Sequence, residues 1–237
     1  MIISENHKNQ FYLFDDTFFK KCHSDIFTPH YWHALNAITG EAQGRGTTYF
    51  IKHNASELVL RHYYRGGIIG KFVNDTYIFT SLEKTRAFQE FNLLSAMHNF
   101  NLPVPTPVAC RVSKRGLFYQ ADLMTSRIEN ASDLIDILSK KTANKQTWQD
   151  IGSTIRRFHD FGIYHHDLNA HNILIDSKDN IWLIDFDRGE KREHNLSWKQ
   201  GNLQRLLRSF NKEREKIKGF NWQQSDWKSL LEGYKQA

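Results

Sequence analysis

Between Glu83 and Phe100 the apolar residues Ala87, Phe88, Phe91, Leu94 and Met97 recur at helical spacing, which predicts one amphipathic helix ended by Pro103. Three of the four prolines follow in Pro103-Val104-Pro105-Thr106-Pro107, a stretch that excludes helix and leads an extended chain into Val108–Val112. Strand-like runs stand before the helix at Thr47–Ile51 and Leu58–Tyr64, and after it at Leu117–Ala121. Upstream of about Tyr31 no period is clear. The second half reads differently: Asp133–Ser139 and the stripe Trp148, Ile151, Ile155 and Phe158 are helical, and so is the chain beyond Ser197, with Leu203, Leu206, Leu207 and Phe210 apolar. Between those helices lie two short apolar runs, Ile173–Ile175 and Ile181–Ile184, separated by the polar turn 176–180. The predicted class is α+β, a β-rich part (residues 1–125) followed by an α-rich part (residues 126–237).

With 237 residues, 40% hydrophobic and 24% charged, the chain is expected to be globular and to bury a sizeable core, as one domain or two small lobes. Met1–Gln10 is polar, and no apolar run nears the roughly 18–20 residues that span a bilayer, so neither export nor membrane insertion is expected. Cys22 and Cys110 are too few for a disulfide framework and have no neighbours at metal-ligand spacing; two reduced thiols in a reducing compartment are expected. The net charge of +6 is concentrated: Arg188–Lys218 holds ten Lys or Arg against four Glu, an excess equal to that of the whole chain. Such a block suits an anionic partner: a membrane surface, a phosphorylated substrate or nucleic acid. No aromatic interleaving or RNA-module signature supports the last, and a solvated face is the bland alternative.

The chemistry-bearing stretch is His165-His166-Asp167-Leu168-Asn169-Ala170-His171-Asn172, followed after a predicted hairpin by Ile184-Asp185-Phe186-Asp187. Phosphoryl transfer needs a carboxylate to orient the attacking hydroxyl and accept its proton, and hard oxygen ligands for Mg²⁺. Asp167 suits the first task, Asn172 and Asp185 the second. The order and spacing resemble the catalytic loop and magnesium motif of protein-kinase-like enzymes, which implies a bilobal fold, with ATP and Mg²⁺ as cofactors. Gly40, Gly44 and Gly46 precede a strand and are candidates to bring backbone N–H groups near a triphosphate, or else form a plain hairpin turn. Glu90 suits the acidic partner of a phosphate-gripping cation. Where the pattern has Lys this chain has Arg61, with Lys52 and Lys71 as the alternatives. Asp187 stands where the motif usually has glycine, and His166 where many regulated kinases have Arg. The second departure implies no phosphorylated activation loop. The neighbouring histidines read as structural rather than as a metal site.

The chain resembles the lipopolysaccharide kinases of Gram-negative bacteria. The resemblance is carried by residues 40–46 (GEAQGRG), 60–67 (LRHYYRGG), 85–90 (TRAFQE), 102–105 (LPVP), 164–174 (YHHDLNAHNIL) and 184–189 (IDFDRG), within roughly residues 30–210. It implies ATP-dependent phosphorylation of the 4-hydroxyl of a Kdo sugar on a lipid A precursor. It further implies peripheral attachment at the cytoplasmic face of the inner membrane, with the basic block against an anionic glycolipid and no nucleic acid as partner. Arg65, Arg86, Arg188 and Arg208 are candidate anion contacts. A small-molecule phosphotransferase of the antibiotic-modifying type is the alternative enzyme. A nucleotide-binding scaffold is disfavoured by the presence of both Asp167 and Asp185.

Overall fold

The chain folds as α+β in a computed structural model that describes residues 1–44, 46–65 and 75–236. Lys71, Arg45, Gly66 and Gly67 of the sequence reading lie outside the described residues. The fold divides into two units, Met1–Ser95 with Pro105–Arg127, and Ala96–Val104 with Ile128–Ala237.

The first unit is built on an antiparallel sheet. Its elements are β1 (Ile2–His7), β2 (Gln10–Asp15), α1 (Pro29–Ala34), β3 (Ile38–Gln43), β4 (Thr47–His53), β5 (Ser56–His62), β6 (Tyr77–Ile78), α2 (Arg86–Asn99), β7 (Pro107–Arg115) and β8 (Phe118–Ser126). Strand order is β1-β2-β7-β8-β5-β4-β3, and β6 pairs with β8. The β1–β2 hairpin, where no period was legible, closes on a tight turn with Lys8 at φ 59° and aligns Phe14 with Ala109 of β7. Side chains from one face of this sheet, including Phe14, Ile51, Leu58 and Met124, bury against Ile26, Phe27 and Trp32 of the segment that crosses it. Each such side chain contributes roughly 1.5–3 kcal/mol on leaving water. The Trp32 indole donates to the Ile26 carbonyl at 2.7 Å, so its one polar atom is satisfied inside.

Gly40 is a residue of β3, opposite Phe50 beside a register shift, while Gly44 and Gly46 form the turn into β4 with the Gly44 N–H donating to the Gly46 carbonyl at 3.0 Å. A Cβ on Gly46 would fall 2.1 Å from the Tyr64 ring, so this position has no room for a side chain.

The second unit contains β9 (Ser132–Asp133), α3 (Leu134–Lys140), α4 (Lys145–Asp160), β10 (Ile163–Tyr164), β11 (Ile173–Ile175), β12 (Ile181–Leu183), β13 (Glu190–Lys191), α5 (Leu196–Lys216) and α6 (Gln224–Gln236). Asp133, predicted as helical, is instead the N-cap of α3; its carboxylate accepts from the Asp136 N–H at 2.8 Å. Asn144 and Asn195 cap α4 and α5 in the same way. Trp148 of α4 meets Phe210 of α5 edge-on at 5.5 Å, and Phe210 stacks on Trp222 at 5.5 Å. Where α4 crosses α6 the backbones touch: a Cβ on Gly152 would lie 2.0 Å from the Leu230 carbonyl, and one on Gly233 2.0 Å from that of Gln149. The Leu183 N–H donates to the Pro103 carbonyl at 3.0 Å, so the proline-rich stretch edges the β11–β12 hairpin.

Candidate active site

In the second unit the loop after β10 carries Asp167, and a short 3-10 turn, Ala170–Asn172, delivers Asn172 to the start of β11. The β11–β12 hairpin pairs Ile173 with Leu183, which returns the chain beside Asn172. Its turn is closed by the Asp176 carboxylate, which accepts from the N–H groups of Lys178 (2.8 Å) and Asn180 (3.0 Å), the Asn180 amide (2.9 Å) and the Trp182 indole (3.0 Å). Desolvation opposes ionisation of Asp176, but these donors outweigh it and hold the carboxyl down at about 2.

Ile184 is fastened on both sides. Its N–H donates to the Asn172 carbonyl at 3.0 Å, and its own carbonyl accepts from His165 Nε2 at 3.0 Å. Asp185 follows in left-handed backbone at φ 62°. The Asn172 Nδ2 donates to the Asp167 carbonyl at 3.0 Å, which leaves its amide oxygen as the atom for a cation. Asp167, Asn172 and Ile184, the residue before Asp185, therefore belong to one hydrogen-bonded knot. Two neighbouring oxygen donors, one amide and one carboxylate, fit Mg²⁺, which takes few protein ligands and completes its shell with phosphate and water. Among the described residues no group of three or more His, Cys, Asp and Glu could hold a metal.

His165 has one arrangement of protons that fits. Its Nε2–H donates to Ile184, so Nδ1 is the acceptor for the Asp167 N–H at 3.2 Å. Burial pushes its pKa down, which keeps it in that neutral form. The loop backbone is held in turn by Asn202 of α5, whose amide oxygen accepts from the His165 N–H (3.2 Å) and whose Nδ2 donates to the His165 carbonyl (2.9 Å). His159 approaches the same amide oxygen at 3.4 Å and meets the Tyr234 hydroxyl at 2.8 Å. Burial drives the His159 pKa down to about 4, with the Asn202 contact opposing. Phe186, fully buried, stacks on Phe158 at 5.7 Å and anchors the segment after Asp185; Asp187 carries a buried carboxylate oxygen.

Sequence reasoning missed Asn202 and Arg205. The available signal for Asn202 was a polar residue immediately before Leu203 on the buried stripe of α5, and the structure buries it to 1% exposure. Arg205 Nη1 lies 3.4 Å from Asp167 Oδ1. His166 is pushed down by burial and by the charges of Arg188 and Arg205.

In the first unit Arg61 and Glu90 are in contact: Nη2 of Arg61 reaches both carboxylate oxygens at 2.6 Å, and the Tyr63 hydroxyl donates to one of them at 2.6 Å. Glu90 is buried and Arg61 part-exposed, so the acid fixes the cation while leaving it reachable from solvent. Lys52 is exposed on β4, opposite Glu57. Arg86 donates to the Tyr77 hydroxyl at 2.8 Å, and the guanidinium of Arg65 lies 5.0 Å from the centre of the same ring.

The sequence profile of the lipopolysaccharide kinase (Kdo/WaaP) family matches residues 29–234. The chain is 46% identical over 232 residues to the 3-deoxy-D-manno-octulosonic acid kinase of Vibrio parahaemolyticus, covering 98% of this chain and 97% of that protein. It is 45% identical to the protein of that name from Mannheimia succiniciproducens, covering 98% and 99% of the two chains. It is 43% identical to the one from Haemophilus influenzae, covering 96% and 97%. Identity at this level over nearly the whole of each chain, with the profile matched across both units, makes this chain a member of the lipopolysaccharide kinase (Kdo/WaaP) family.

Proposed function

We propose that the protein transfers the γ-phosphoryl group of ATP to the 4-hydroxyl of a Kdo sugar on a lipid A precursor. The observation that carries this reading is the knot joining Asp167, Asn172 and Ile184-Asp185. The 3-deoxy-D-manno-octulosonic acid kinases to which the chain is similar support the choice of acceptor. Residues 1–125 handle the nucleotide phosphates and residues 126–237 carry the reacting groups. Arg61, steadied by Glu90, grips phosphate oxygens; the Gly44 N–H is taken by the Gly46 carbonyl, so Gly40, Gly44 and Gly46 serve by letting the backbone come close rather than through that donor.

Asp167 orients the sugar hydroxyl and takes its proton as the new O–P bond forms. The bond between the γ-phosphorus and the bridging oxygen breaks, and ADP leaves with that electron pair. Asn172 and Asp185 hold Mg²⁺, which when bound neutralises charge on the phosphate oxygens. His165, neutral and bonded to the Asp167 N–H, keeps the base in place.

Among the described residues no helix is long and apolar enough to cross a membrane. Attachment is peripheral, at the cytoplasmic face of the inner membrane, through the basic block Arg188–Lys218. The test incubates the protein with labelled ATP, Mg²⁺ and, separately, Kdo-lipid A, an aminoglycoside and a generic protein. Label is expected on Kdo-lipid A, and an Asp167→Asn control should lose about 10²- to 10⁴-fold in turnover. Label on the aminoglycoside alone would overturn the acceptor, and label on none would overturn the enzyme.

A further inference from the structure

Asp167 is met by a cation from 38 residues further along the chain, at 3.4 Å from Arg205 of α5. Both side chains are about two-fifths exposed, at 41% and 43%, and exposed pairs of this kind add little stability. Among the described residues this is the one ion pair or hydrogen bond of the Arg205 side chain. It uses one of the five N–H groups of a guanidinium, a fork whose geometry matches a carboxylate.

The other cations of the basic block divide into two groups. Lys216 is paired with Glu213 at 3.0 Å and Lys199 with Asp160 at 3.6 Å. Arg208 and Lys212 are exposed and have no acidic partner among the described residues. Spaced three and four residues apart, Arg205, Arg208 and Lys212 share one face of α5 and cover roughly 10 Å along it. A line of cations therefore begins with Arg205 at the proposed base and runs away from it through Arg208 and Lys212, which have no acidic partner among the described residues. Burial, then the charge of Arg188, then that of Arg205 lower the pKa of His166, next to Asp167.

Resting on the reading of the acceptor as a Kdo sugar on lipid A, we propose that Arg205 binds the carboxylate of that sugar beside Asp167, and that Arg208 and Lys212 receive phosphate groups farther along the acceptor. The sugar bears its carboxylate on the same ring as the hydroxyl to be phosphorylated. A cation touching the base is thus within reach of that carboxylate once the hydroxyl is in place. Arg205 is in this account a specificity-determining residue that selects an acidic sugar over a neutral one.

The experiment measures wild type, Arg205→Ala, Arg205→Lys and Arg208→Ala with Kdo-lipid A in detergent micelles, and with the same acceptor methyl-esterified at the Kdo carboxyl. Acceptor binding is followed in parallel by calorimetry without ATP. Arg205→Ala should raise the acceptor KM about 10- to 100-fold and weaken binding by the same factor, with the ATP KM and the melting midpoint unchanged. Wild type should lose a like factor on the ester, Arg205→Ala should lose nothing more, and Arg205→Lys should recover part. Arg208→Ala, which removes an exposed phosphate contact, should lose about threefold on acid and ester alike, and no loss would remove Arg208 from the acceptor site.

A raised ATP KM with the acceptor KM unmoved would instead assign Arg205 to the nucleotide. If wild type binds acid and ester equally, there is no carboxylate contact at all, whatever the variants do. Should wild type phosphorylate none of the Kdo acceptors, the underlying functional reading fails, while calorimetry on acid and ester still decides the contact.

Discussion

Around Arg61 in the sheet unit and behind Asp167 in the helical unit, buried polar groups are held by opposite means. In the sheet unit the pairs are ionic: Arg61 with Glu90, and Asp122 between Arg111 at 2.8 Å and His62 at 2.7 Å. Burial alone would lower the His62 pKa, but the hydrogen bond and charge of Asp122, with help from Asp75, outweigh it and raise it. In the helical unit the network behind Asp167 is neutral: Tyr234, His159, Asn202 and His165 join through hydroxyl, imidazole, amide and backbone. There burial wins, and His159 and His165 are pushed down. The same side chain is thus pushed toward its charged form in one unit and toward its neutral form in the other. On the proposed roles, a unit that grips phosphate would gain from a fixed positive charge, and one that positions a proton acceptor from neighbours that do not change charge.

The sharpest way to break this contrast is to put a charge into the neutral network. Asn202→Asp keeps an acceptor for the His165 N–H but leaves the His165 carbonyl facing a buried carboxylate, so urea unfolding should report a loss of about 4 kcal/mol. Unchanged stability would mean that the network tolerates charge. Next in size is the acid limb. The folded-state value for His159 lies below its unfolded value, so between about pH 6.5 and 4 the unfolded chain binds more protons and stability falls as pH falls. This group alone contributes about 3 kcal/mol over that window, and His159→Gln should flatten the limb in a melting series.

Removing a charge from the sheet unit should cost less, because Arg61 can turn to solvent: Glu90→Gln is expected to lose about 2 kcal/mol and to speed amide exchange in α2. Smallest, and opposite in sign, is the contribution of His62. With its folded value raised, its stabilisation is present below about pH 6.5 and fades as pH rises through that value, so wild type should lose ground to His62→Gln on the alkaline side. Parallel slopes for the two proteins would remove the ionic half of the contrast.

Legibility in the sequence followed the range of the interactions. The helix α2, the stripe of α4 and the β11–β12 hairpin rest on local periodicity, and all three were readable. The β1–β2 hairpin was not, because Ile2–His7 alternates weakly and β2 finds its partner in β7, about a hundred residues away. Helix α6 buries Trp227 and Leu230 but turns Gly233 toward α4, which thins the apolar signal. Asp167, Asn172 and Asp185 were legible because their spacing lies within one short stretch. Asn202 and Arg205 reach the same loop from a helix that begins some thirty residues later, and nothing local marks an asparagine or an arginine for such a task.

The Asp176 turn sets the order in which the parts let go on acidification. A carboxyl that stays ionised to about 2 keeps its donors well after His159, held down to about 4, has begun to draw protons. Asn172 and Asp185 stand at the two feet of that hairpin, so acid that charges His159 dislodges the footing of Asp167 first and spares the clasp beneath the proposed metal ligands. Protein inactivated near pH 4 would then retain the hairpin, and returning it to neutral would re-seat a single loop rather than rebuild the site.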